Sequence, residues 1–303
     1  SGGLTVKVVD ANGPLPGATV TISHETGYVK TTSSLTSPQG IVEFPVLRPG
    51  EGYVVEVSFP GFASRRVADL RIRINENQPL TVQLAEEIVE RVKVTAKTDV
   101  VDLEDTAAST KFSDDFIQDL PVPGRAYQNI LTLAPGVQDA DGDGNPDVHG
   151  SRTRDFKAEV SGVSNVDPLT GGYMSQVNPD SIEEMEVITA GAGVEFSRAQ
   201  GGFARIIQKQ GSNEFEGTFG YLYRSSALDG DGAGSYSNLP DLGFELHQPA
   251  IQVSGPIIKD KLWYRLSHEY IKNEIPVNTV GGINITTVEQ SINSDQITWQ
   301  VSP

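Results

Sequence analysis

The sequence lacks cysteine, long apolar runs and a leader segment. The absence of cysteine among 303 residues excludes a disulfide scaffold and a thiol enzyme, and it is compatible with an exported protein. No run of about 18 apolar residues occurs, so the sequence predicts no transmembrane helix, although membrane-spanning strands escape this test. Because Ser1 follows neither an initiating methionine nor a charged-then-apolar leader, we expect a signal peptide to have been removed.

Motifs for catalysis are also lacking. The four histidines lie far apart in sequence and form no zinc-binding pair. No nucleophile elbow, Walker loop or complete dinucleotide fingerprint occurs. Glutamates that are neighbours in sequence, such as Glu183 and Glu184, point away from each other in regular structure and make no acid–base pair. We therefore predict that the protein is not an enzyme and assign no catalytic residue.

Basic residues are few, and acidic residues dominate the middle of the chain. Residues 1–85 carry seven basic and seven acidic side chains, residues 86–215 carry 11 and 23, and residues 216–303 carry five and ten. With a net charge of −17 and no basic stripe, the surface repels phosphate backbones. Nucleic acid is therefore excluded as a partner. The 37% hydrophobic content is nevertheless enough for folded cores.

The first 85 residues have the alternation of an all-β domain. β-prone segments recur every ~8–12 residues between turns rich in glycine and proline, which predicts a β-sandwich over residues 1–85. Several turn motifs stand out: Val8-Val-Asp10, Pro14-Leu-Pro-Gly17, Gly40-Ile-Val-Glu-Phe44, Leu47-Arg-Pro-Gly50 and Phe59-Pro-Gly-Phe62. This pattern resembles the carboxypeptidase-regulatory-like domain. The alternative, that these are the tight turns of any sandwich, predicts the same fold.

Residues 86–112 lose this turn pattern and carry mixed charge. We interpret them as a tether that contains one β-prone stretch, Ile88–Thr95. An unpaired strand in a tether can add to the edge of a partner's sheet, or it can dock within its own protein.

Residues 113–215 mix helical and strand patterns and predict a small α/β domain. Phe116, Ile117 and Leu120 share one helix face, Ser113 can cap that helix, and Pro121 ends it. The other predicted elements are a helix over Arg125–Ala134, strands over 157–160 and 203–209, and a segment of either type over 182–188.

An aspartate-rich loop lies within this region. Asp139, Asp141, Asp143 and Asp147 surround a glycine-rich turn. Hard oxygen ligands from a tight loop suit Ca²⁺, which is coordinated at about 2.3–2.6 Å. The loop is not an EF-hand, because Gly150 occupies the position of the bidentate glutamate. Two interpretations remain: these aspartates hold a structural Ca²⁺ as the single cofactor, or the loop is a solvated acidic turn.

Residues 216–303 alternate again, with aromatic and aliphatic residues on one face. Phe219, Tyr221 and Tyr223 are separated by Gly220 and Leu222, and residues 262–270 show a similar period of two. The predicted connections between successive strands alternate in length. The first is long, the second, at 259–261, is short, and the third, from residue 272 to about residue 290, is long again. This rhythm, with strands of ~10 residues, is typical of a transmembrane β-barrel, of which we expect about four strands. A soluble sandwich is the alternative.

A second set of motifs runs through the middle and end of the chain. It comprises Asp115-Phe-Ile-Gln-Asp-Leu-Pro121, Leu131-Thr-Leu-Ala-Pro-Gly136, Ser181-Ile-Glu-Glu-Met-Glu-Val187, Gln210-Gly-Ser-Asn-Glu-Phe-Glu-Gly217 and Gly255-Pro-Ile-Ile-Lys-Asp-Lys-Leu-Trp-Tyr264. These segments resemble the plug domain and first barrel strands of TonB-dependent outer-membrane receptors. The subgroup with the most similar order of parts is Oar-like, with a carboxypeptidase-regulatory-like domain before the plug. Phe203–Gln210 departs from the family, whose corresponding strand is more aliphatic.

The resemblance implies a receptor of the bacterial outer membrane. Such a receptor binds an extracellular ligand, here a peptide, protein or saccharide, and imports it when a TonB-type periplasmic motor protein pulls on a short strand. Outer-membrane lipid is the other expected partner. The resemblance places this strand, the TonB box, at Glu87, Ile88, Val89, Glu90, Arg91 and Val92 or just beyond. The competing interpretation is a secreted or surface-attached adhesion protein with a calcium-stabilised loop.

The predicted architecture is therefore multidomain. An all-β sandwich (1–85) is followed by the tether (86–112), an α/β plug domain (113–215) and the first antiparallel strands of a transmembrane β-barrel (216–303). A closed barrel of this family needs more strands than the chain has room for, so we expect a portion of a longer protein.

Overall fold

The structure is dominated by β-strands, and its helices are few and short. The computed structural model describes residues 1–27, 29–85, 94–95, 107–120, 126–140, 144–193, 201–228, 243–280 and 282–301. No helix within those ranges is long and apolar enough to cross a membrane.

The sandwich, defined as residues 1–85, contains eight strands in two sheets. In chain order they are β1 (Gly2–Asp10), β2 (Gly13–Pro14), β3 (Thr19–His24), β4 (Thr32–Leu35), β5 (Ile41–Leu47), β6 (Gly50–Ser58), β7 (Arg65–Ile72) and β8 (Asn77–Gln83). β1 pairs with β2 and β5 in antiparallel fashion and with β8 in parallel, while the second sheet has the order β4, β3, β6, β7. Alternate apolar residues such as Val6, Val20 and Val55 are buried between the sheets, as the sequence pattern predicts.

A ninth strand, β9 (Val94–Thr95), comes from the predicted tether and extends the second sheet. It pairs in parallel with β7 and lies at the end of the order β4, β3, β6, β7, β9. Part of the β-prone stretch of the tether thus docks on the sandwich.

The central unit, defined as residues 107–215, is an α/β domain. Its elements are β10 (Ala108–Ser113), α1 (Asp114–Asp119), α2 (Tyr127–Leu131), β11 (Val137–Gln138), β12 (Asp147–Val148), β13 (Phe156–Val160), β14 (Val163–Ser164), β15 (Ile182–Ala190) and β16 (Gly202–Gln208). Five strands form a mixed sheet of order β10, β15, β16, β13, β14, and β11 and β12 form a separate hairpin. Tyr127, Ile130, Met185 and Ile206 lie in the core between helices and sheet.

Local signals in this unit are partly confirmed. Ser113 caps α1, since its Oγ accepts a hydrogen bond from the Phe116 amide. The segment over 182–188 is a strand, and the second helix is shorter than predicted. Residues 108–112 had been assigned to the tether, but they form β10, which pairs with β15. The pairing is long-range, so the local sequence carries little sign of it.

The C-terminal sheet, defined as residues 216–301, is an antiparallel meander. Its strands are β17 (Glu216–Ser225), β18 (Glu245–Ile258), β19 (Leu262–Thr279), β20 (Gly282–Asn293) and β21 (Gln296–Trp299). β20 and β21 pair with successive parts of β19, so the sheet has four strand positions.

One predicted connection in this sheet is wrong. Residues 272–290 were expected to form a long loop, but β19 and β20 continue as a paired hairpin up to Thr279 and Gly282. β-prone alternation through Ile275 and Val277 favours continued strand pairing over a loop. Gly282, the first residue of β20, has a φ of 121°, a conformation that favours glycine.

Candidate functional site

The C-terminal sheet buries its polar face. Gln248, Arg265, Ser267 and Glu269 are each no more than 1% exposed. The opposite face presents large apolar side chains, including Phe219 at 75% exposure. Other exposed members of this outer face are Tyr221, Tyr223, Ile251, Val253, Leu266, Ile285, Ile297 and Trp299. The expected alternation is present, and its apolar side is the outer one.

The central unit packs on the polar face through side-chain hydrogen bonds. Asn178 Nδ2 donates to Ser267 Oγ at 3.1 Å, and Gln208 Nε2 donates to Ser294 Oγ at 2.6 Å. Arg265 Nη2 also donates to Ser294 Oγ, at 3.2 Å. Each such hydrogen bond contributes only ~0.5–1.5 kcal/mol of net stability, because its donor and acceptor can bond to water instead. Separating the central unit from the C-terminal sheet therefore costs less free energy than separating an apolar interface of equal area.

The sandwich meets the central unit at a junction formed by the segment that follows β7. The Ile74 amide donates to Glu184 Oε2 at 2.8 Å, and Asn75 Nδ2 donates to Glu186 Oε2 at 3.1 Å. Arg205 Nη1 donates to Asn75 Oδ1 at 2.5 Å. Ile74 is fully buried at this junction. It lies two residues past the end of β7 and is not part of the sandwich core cluster.

Ion pairs surround the junction. Lys111 Nζ lies 3.2 Å from Glu76 Oε2. Asp114, in the first turn of α1, is shared by Arg71 of the sandwich at 3.4 Å and Lys209 of the central unit at 3.3 Å. These side chains are partly buried, so solvent screens the pairs less than fully exposed ones.

Two carboxyl groups at the junction have raised pKa values. Burial raises the pKa of Glu184 to about 7, against the opposing effect of the hydrogen bond from the Ile74 amide. Burial and the neighbouring Asp114 carboxylate likewise raise the pKa of Glu183 to about 7, although Lys209 acts in the other direction. The carboxyl groups of Glu183 and Glu184 therefore bind protons more strongly in the folded protein than in an unfolded chain.

The structure describes two of the four predicted calcium ligands. Asp139 and Asp147 lie at the base of the acidic loop, next to the β11–β12 pair of Gln138 and Asp147. Asp139 Oδ2 accepts a hydrogen bond from the Gly144 amide at 3.0 Å, and its buried Oδ1 has no hydrogen-bond partner in the described part of the chain. Gln138 Nε2 donates to Asp147 Oδ1 at 3.1 Å.

The other two predicted ligands, Asp141 and Asp143, lie outside the described residues. Within the described ranges, no group of three or more histidine, aspartate or glutamate side chains is arranged to hold a metal ion.

The predicted TonB box, residues 87–92, also lies outside the described residues. The structure describes both sides of it: Ala85 at the end of the sandwich and Val94 in β9.

Sequence reasoning missed the junction residues around Ile74. The available signals were an apolar residue two positions past the end of β7 and a row of glutamates on β15. Neither signal identifies its partner, because Ile74 and Glu184 are 110 residues apart in sequence.

Comparison with known proteins identifies the first domain and two related receptors. Residues 3–85 match the family described as the carboxypeptidase regulatory-like domain. The TonB-dependent transporter Oar of Myxococcus xanthus is 27% identical over 279 residues, which cover 85% of this chain and 25% of that relative. The probable TonB-dependent siderophore receptor PirA of Acinetobacter baumannii is 31% identical over 140 residues, 44% of this chain and 17% of the relative.

Among solved structures, the outer membrane transporter YddB from Escherichia coli has a similar fold. Its TM-score is 0.50 at 16% identity, and the match covers 64% of this chain and 31% of that one. The chain thus spans about a quarter of the length of the Oar relative. The domain match at residues 3–85 and the relatedness to Oar confirm the resemblance to Oar-like TonB-dependent receptors, which reside in the bacterial outer membrane.

Proposed function

We propose that the chain is the part of an outer-membrane importer that carries the regulatory-like sandwich, the plug and the first barrel strands. The central unit is the plug, and the C-terminal sheet begins the barrel. The whole receptor binds an extracellular ligand of peptide, protein or saccharide class and imports it with energy from a TonB-type motor protein.

The observation that carries this proposal is the inverted burial of the C-terminal sheet. Strands of a transmembrane barrel alternate apolar residues towards lipid with polar residues towards the lumen. Phe219 and Trp299 face outward, and Arg265 and Glu269 face the central unit. A large exposed apolar face is rare on soluble monomers, so the arrangement favours outer-membrane lipid as the partner of this face.

The contact between plug and barrel strands suits a domain that must move during import. It depends on side-chain hydrogen bonds such as Asn178 to Ser267, which water can replace. A motor that pulls on a strand ahead of the plug would deliver force to β10, the first plug strand along the chain.

Deletion of residues 86–95 tests the coupling role. The full receptor without this segment is expected to reach the outer membrane, but to lose binding to a purified TonB-type motor domain and to lose ligand uptake. A deletion of the same length within residues 229–242 is the control and is expected to retain motor binding. Undiminished motor binding after deletion of 86–95 would refute the assignment of the TonB box to residues 87–92.

The adhesion alternative makes a different prediction about solubility. A secreted adhesin would be monomeric in buffer without detergent, whereas the receptor requires detergent for extraction from outer membranes. We favour the receptor because no polar layer covers Phe219 and Ile251 in the described part of the chain.

We also propose that the loop of Asp139, Asp141, Asp143 and Asp147 holds a structural Ca²⁺. The unpartnered, buried Oδ1 of Asp139 supports this proposal, since such an oxygen gains from a cation. Calcium is expected to raise the thermal midpoint of the receptor, and Asp139→Asn is expected to remove that rise. An unchanged midpoint across a calcium titration would count decisively against the site.

A further inference from the structure

A short connector joins the central unit to the C-terminal sheet, and the sandwich touches it. The connector, residues 209–215, runs from the end of β16 at Gln208 to the start of β17 at Glu216. Within it, the Asn213 amide donates to the Thr26 carbonyl of the sandwich at 2.9 Å. The sandwich therefore has a second contact, separate from its junction with the central unit.

The side chain of Asn213 holds the turn between β18 and β19, residues 259–261. Its Oδ1 accepts from the Asp260 amide at 2.9 Å and from Trp263 Nε1 at 2.7 Å, and its Nδ2 donates to Asp260 Oδ1 at 2.6 Å. Trp263 is 1% exposed, so this network is anchored in the sheet. One residue of the connector thus bonds the sandwich through its backbone and the C-terminal sheet through its side chain.

Gly27 of the sandwich lies directly against this network. A Cβ atom at position 27 would overlap Asn213 Nδ2 and would lie 3.2 Å from Asp260 Oδ1. The φ of Gly27 is 75°, which also favours glycine. The sandwich and the turn are therefore packed too closely to admit a side chain between them.

The start of the connector is held from the same two sides. The Gln208 carbonyl accepts from Arg48 Nη2 of the sandwich at 2.6 Å. The Gln208 side chain donates to Ser294 Oγ of the C-terminal sheet, also at 2.6 Å. Gln208 and Asn213 thus each bond both the sandwich and the C-terminal sheet, so the connector is held between them.

A polar cavity of about 190 Å³ lies beside the connector, with room for several water molecules. Its lining combines Gln210 and Ser212 of the connector with residues of all three units, among them Thr26, Glu183 and Ser254. Polar contacts beside such a cavity can exchange their partners for water at little cost. The sandwich can therefore leave the connector without exposing an apolar core.

The connector is the point at which a displaced plug stays attached to the barrel wall. Because this link is covalent, the backbone between Gln208 and Glu216 has to rotate when the plug moves relative to β17. Rotation there breaks the hydrogen bonds from Arg48 and to Thr26 if the sandwich stays in place. A docked sandwich therefore opposes displacement of the plug.

We propose that the sandwich clamps the connector against the turn of residues 259–261, so that the plug is displaced only after the sandwich has left the connector. This inference rests on the function proposed above. It assigns the regulatory-like sandwich a role in retaining the plug, at a contact that neither the ligand nor the motor protein needs to touch.

Gly27→Ala tests the clamp by wedging it open. The matched control is Gly61→Ala, because Gly61 of the sandwich has a similar φ of 86° but no described heavy atom within 4 Å of an added Cβ. Hydrogen exchange of residues 208–213 is measured in the full receptor in detergent. Gly27→Ala is expected to speed this exchange about tenfold, as loss of one or two hydrogen bonds would, and Gly61→Ala is expected to leave it unchanged. Equal exchange in the two variants would overturn the inference.

A disulfide tests the opposite change, since the chain contains no cysteine. The backbone hydrogen bond keeps the Cα atoms of Thr26 and Asn213 within about 7 Å, which a disulfide can span. The lock is therefore Thr26→Cys with Asn213→Cys. The control is Thr21→Cys with Ser33→Cys, which joins opposed positions of β3 and β4 inside the sandwich. Each variant is compared with itself, oxidised and reduced, so that loss of the Asn213 side chain is common to both states.

Plug displacement is measured as potassium chloride conductance of the full receptor in planar lipid bilayers, with increasing urea on the side that carries the sandwich. Oxidation of the lock is expected to raise the urea concentration at which conductance appears by about 1 M or more, with reversal on reduction and no change in the control. Gly27→Ala is expected to lower it. A formed disulfide that leaves this concentration unchanged would overturn the inference, and so would a lock pair that fails to crosslink while the control pair does.

Two outcomes separate the inference from the proposed function. If the unmodified receptor opens in urea but neither the lock nor the wedge shifts the urea concentration required, the clamp fails and the proposed function stands. If the unmodified receptor conducts at no urea concentration, the C-terminal sheet does not form part of a membrane pore. The proposed function then fails, and the clamp fails with it.

Discussion

The sandwich and the C-terminal sheet are both built from strands with a period of two, yet they bury opposite faces. In the sandwich the apolar residues Val6 and Val55 are inside. In the C-terminal sheet the polar residues Arg265 and Glu269 are inside, and Phe219 is outside. Alternation alone therefore indicates which residues share a face, and the surroundings of each sheet decide which face is covered.

The two regions also differ in what holds them together. Burial of apolar area, worth about 25 cal/mol per Å², stabilises the sandwich in water. The inner face of the C-terminal sheet is held by hydrogen bonds to the central unit, such as Asn178 to Ser267. Its outer face is suited to an apolar solvent. Hydrocarbon offers no hydrogen-bond partners, and the mainly apolar side chains of this face require few.

Truncation of matched isoleucines gives the largest expected contrast. Ile22 is 1% exposed in the sandwich core, whereas Ile251 lies on the outer face of β18. Ile22→Ala is expected to lower the free energy of unfolding of the sandwich by about 2–5 kcal/mol, because it leaves a cavity. Ile251→Ala is expected to change stability in detergent by less than about 1 kcal/mol, since about half of this side chain is exposed and its removal leaves no enclosed cavity. Equal losses in chemical denaturation would contradict the difference between the two regions.

A charge on either face of β17 sharpens the comparison. Phe219 lies on the outer face, and its neighbour Thr218 lies on the inner face. Phe219→Arg is expected to cost up to about 2–4 kcal/mol of folding free energy in a bilayer, depending on depth. Thr218→Arg, the matched control, is expected to cost much less. The measurement is the folded fraction in lipid vesicles across a denaturant series, and a greater loss for Thr218→Arg would reverse the assigned faces.

The helix cap at Ser113 and the alternation of both sheets could be predicted because their signals are local. The junction of Ile74 with Glu184 could not, since its partners come from different domains and carry no mutual pattern. The 272–290 segment was misjudged because strand continuation there depends on pairing between β19 and β20. The candidate TonB box and two of the four aspartates lie outside the described residues, so they stay predictions.

A smaller, pH-dependent effect is expected where the sandwich meets the central unit. The pKa values of Glu183 and Glu184 are raised to about 7, so the docked state holds more protons than the undocked state between about pH 4.5 and 7. Docking is therefore strongest below the ordinary carboxyl pKa and weakens as the pH rises through 7. The apolar core cluster of the sandwich, which includes Val6 and Val55, is expected to keep its stability over this range because these side chains do not titrate.

Paired labels can follow this effect, because the chain is free of cysteine. Labels on cysteines introduced at Lys7 and Ser164 report the distance between the sandwich and the central unit. A broader distance distribution at pH 8 than at pH 6 is expected, and Glu184→Gln should reduce the difference. A distribution that is independent of pH would show that the raised pKa values do not govern docking.

The account depends most on the direction in which the C-terminal sheet faces. Spin labels placed singly at positions 218 to 223 of the full receptor in lipid vesicles measure accessibility to oxygen, which concentrates in the bilayer, and to a water-soluble relaxation agent. The account predicts an alternation in which Phe219, Tyr221 and Tyr223 are accessible to oxygen and the positions between them are not. Accessibility of these three positions to the water-soluble agent, or their protection from both agents in a protein that needs no detergent, would contradict it.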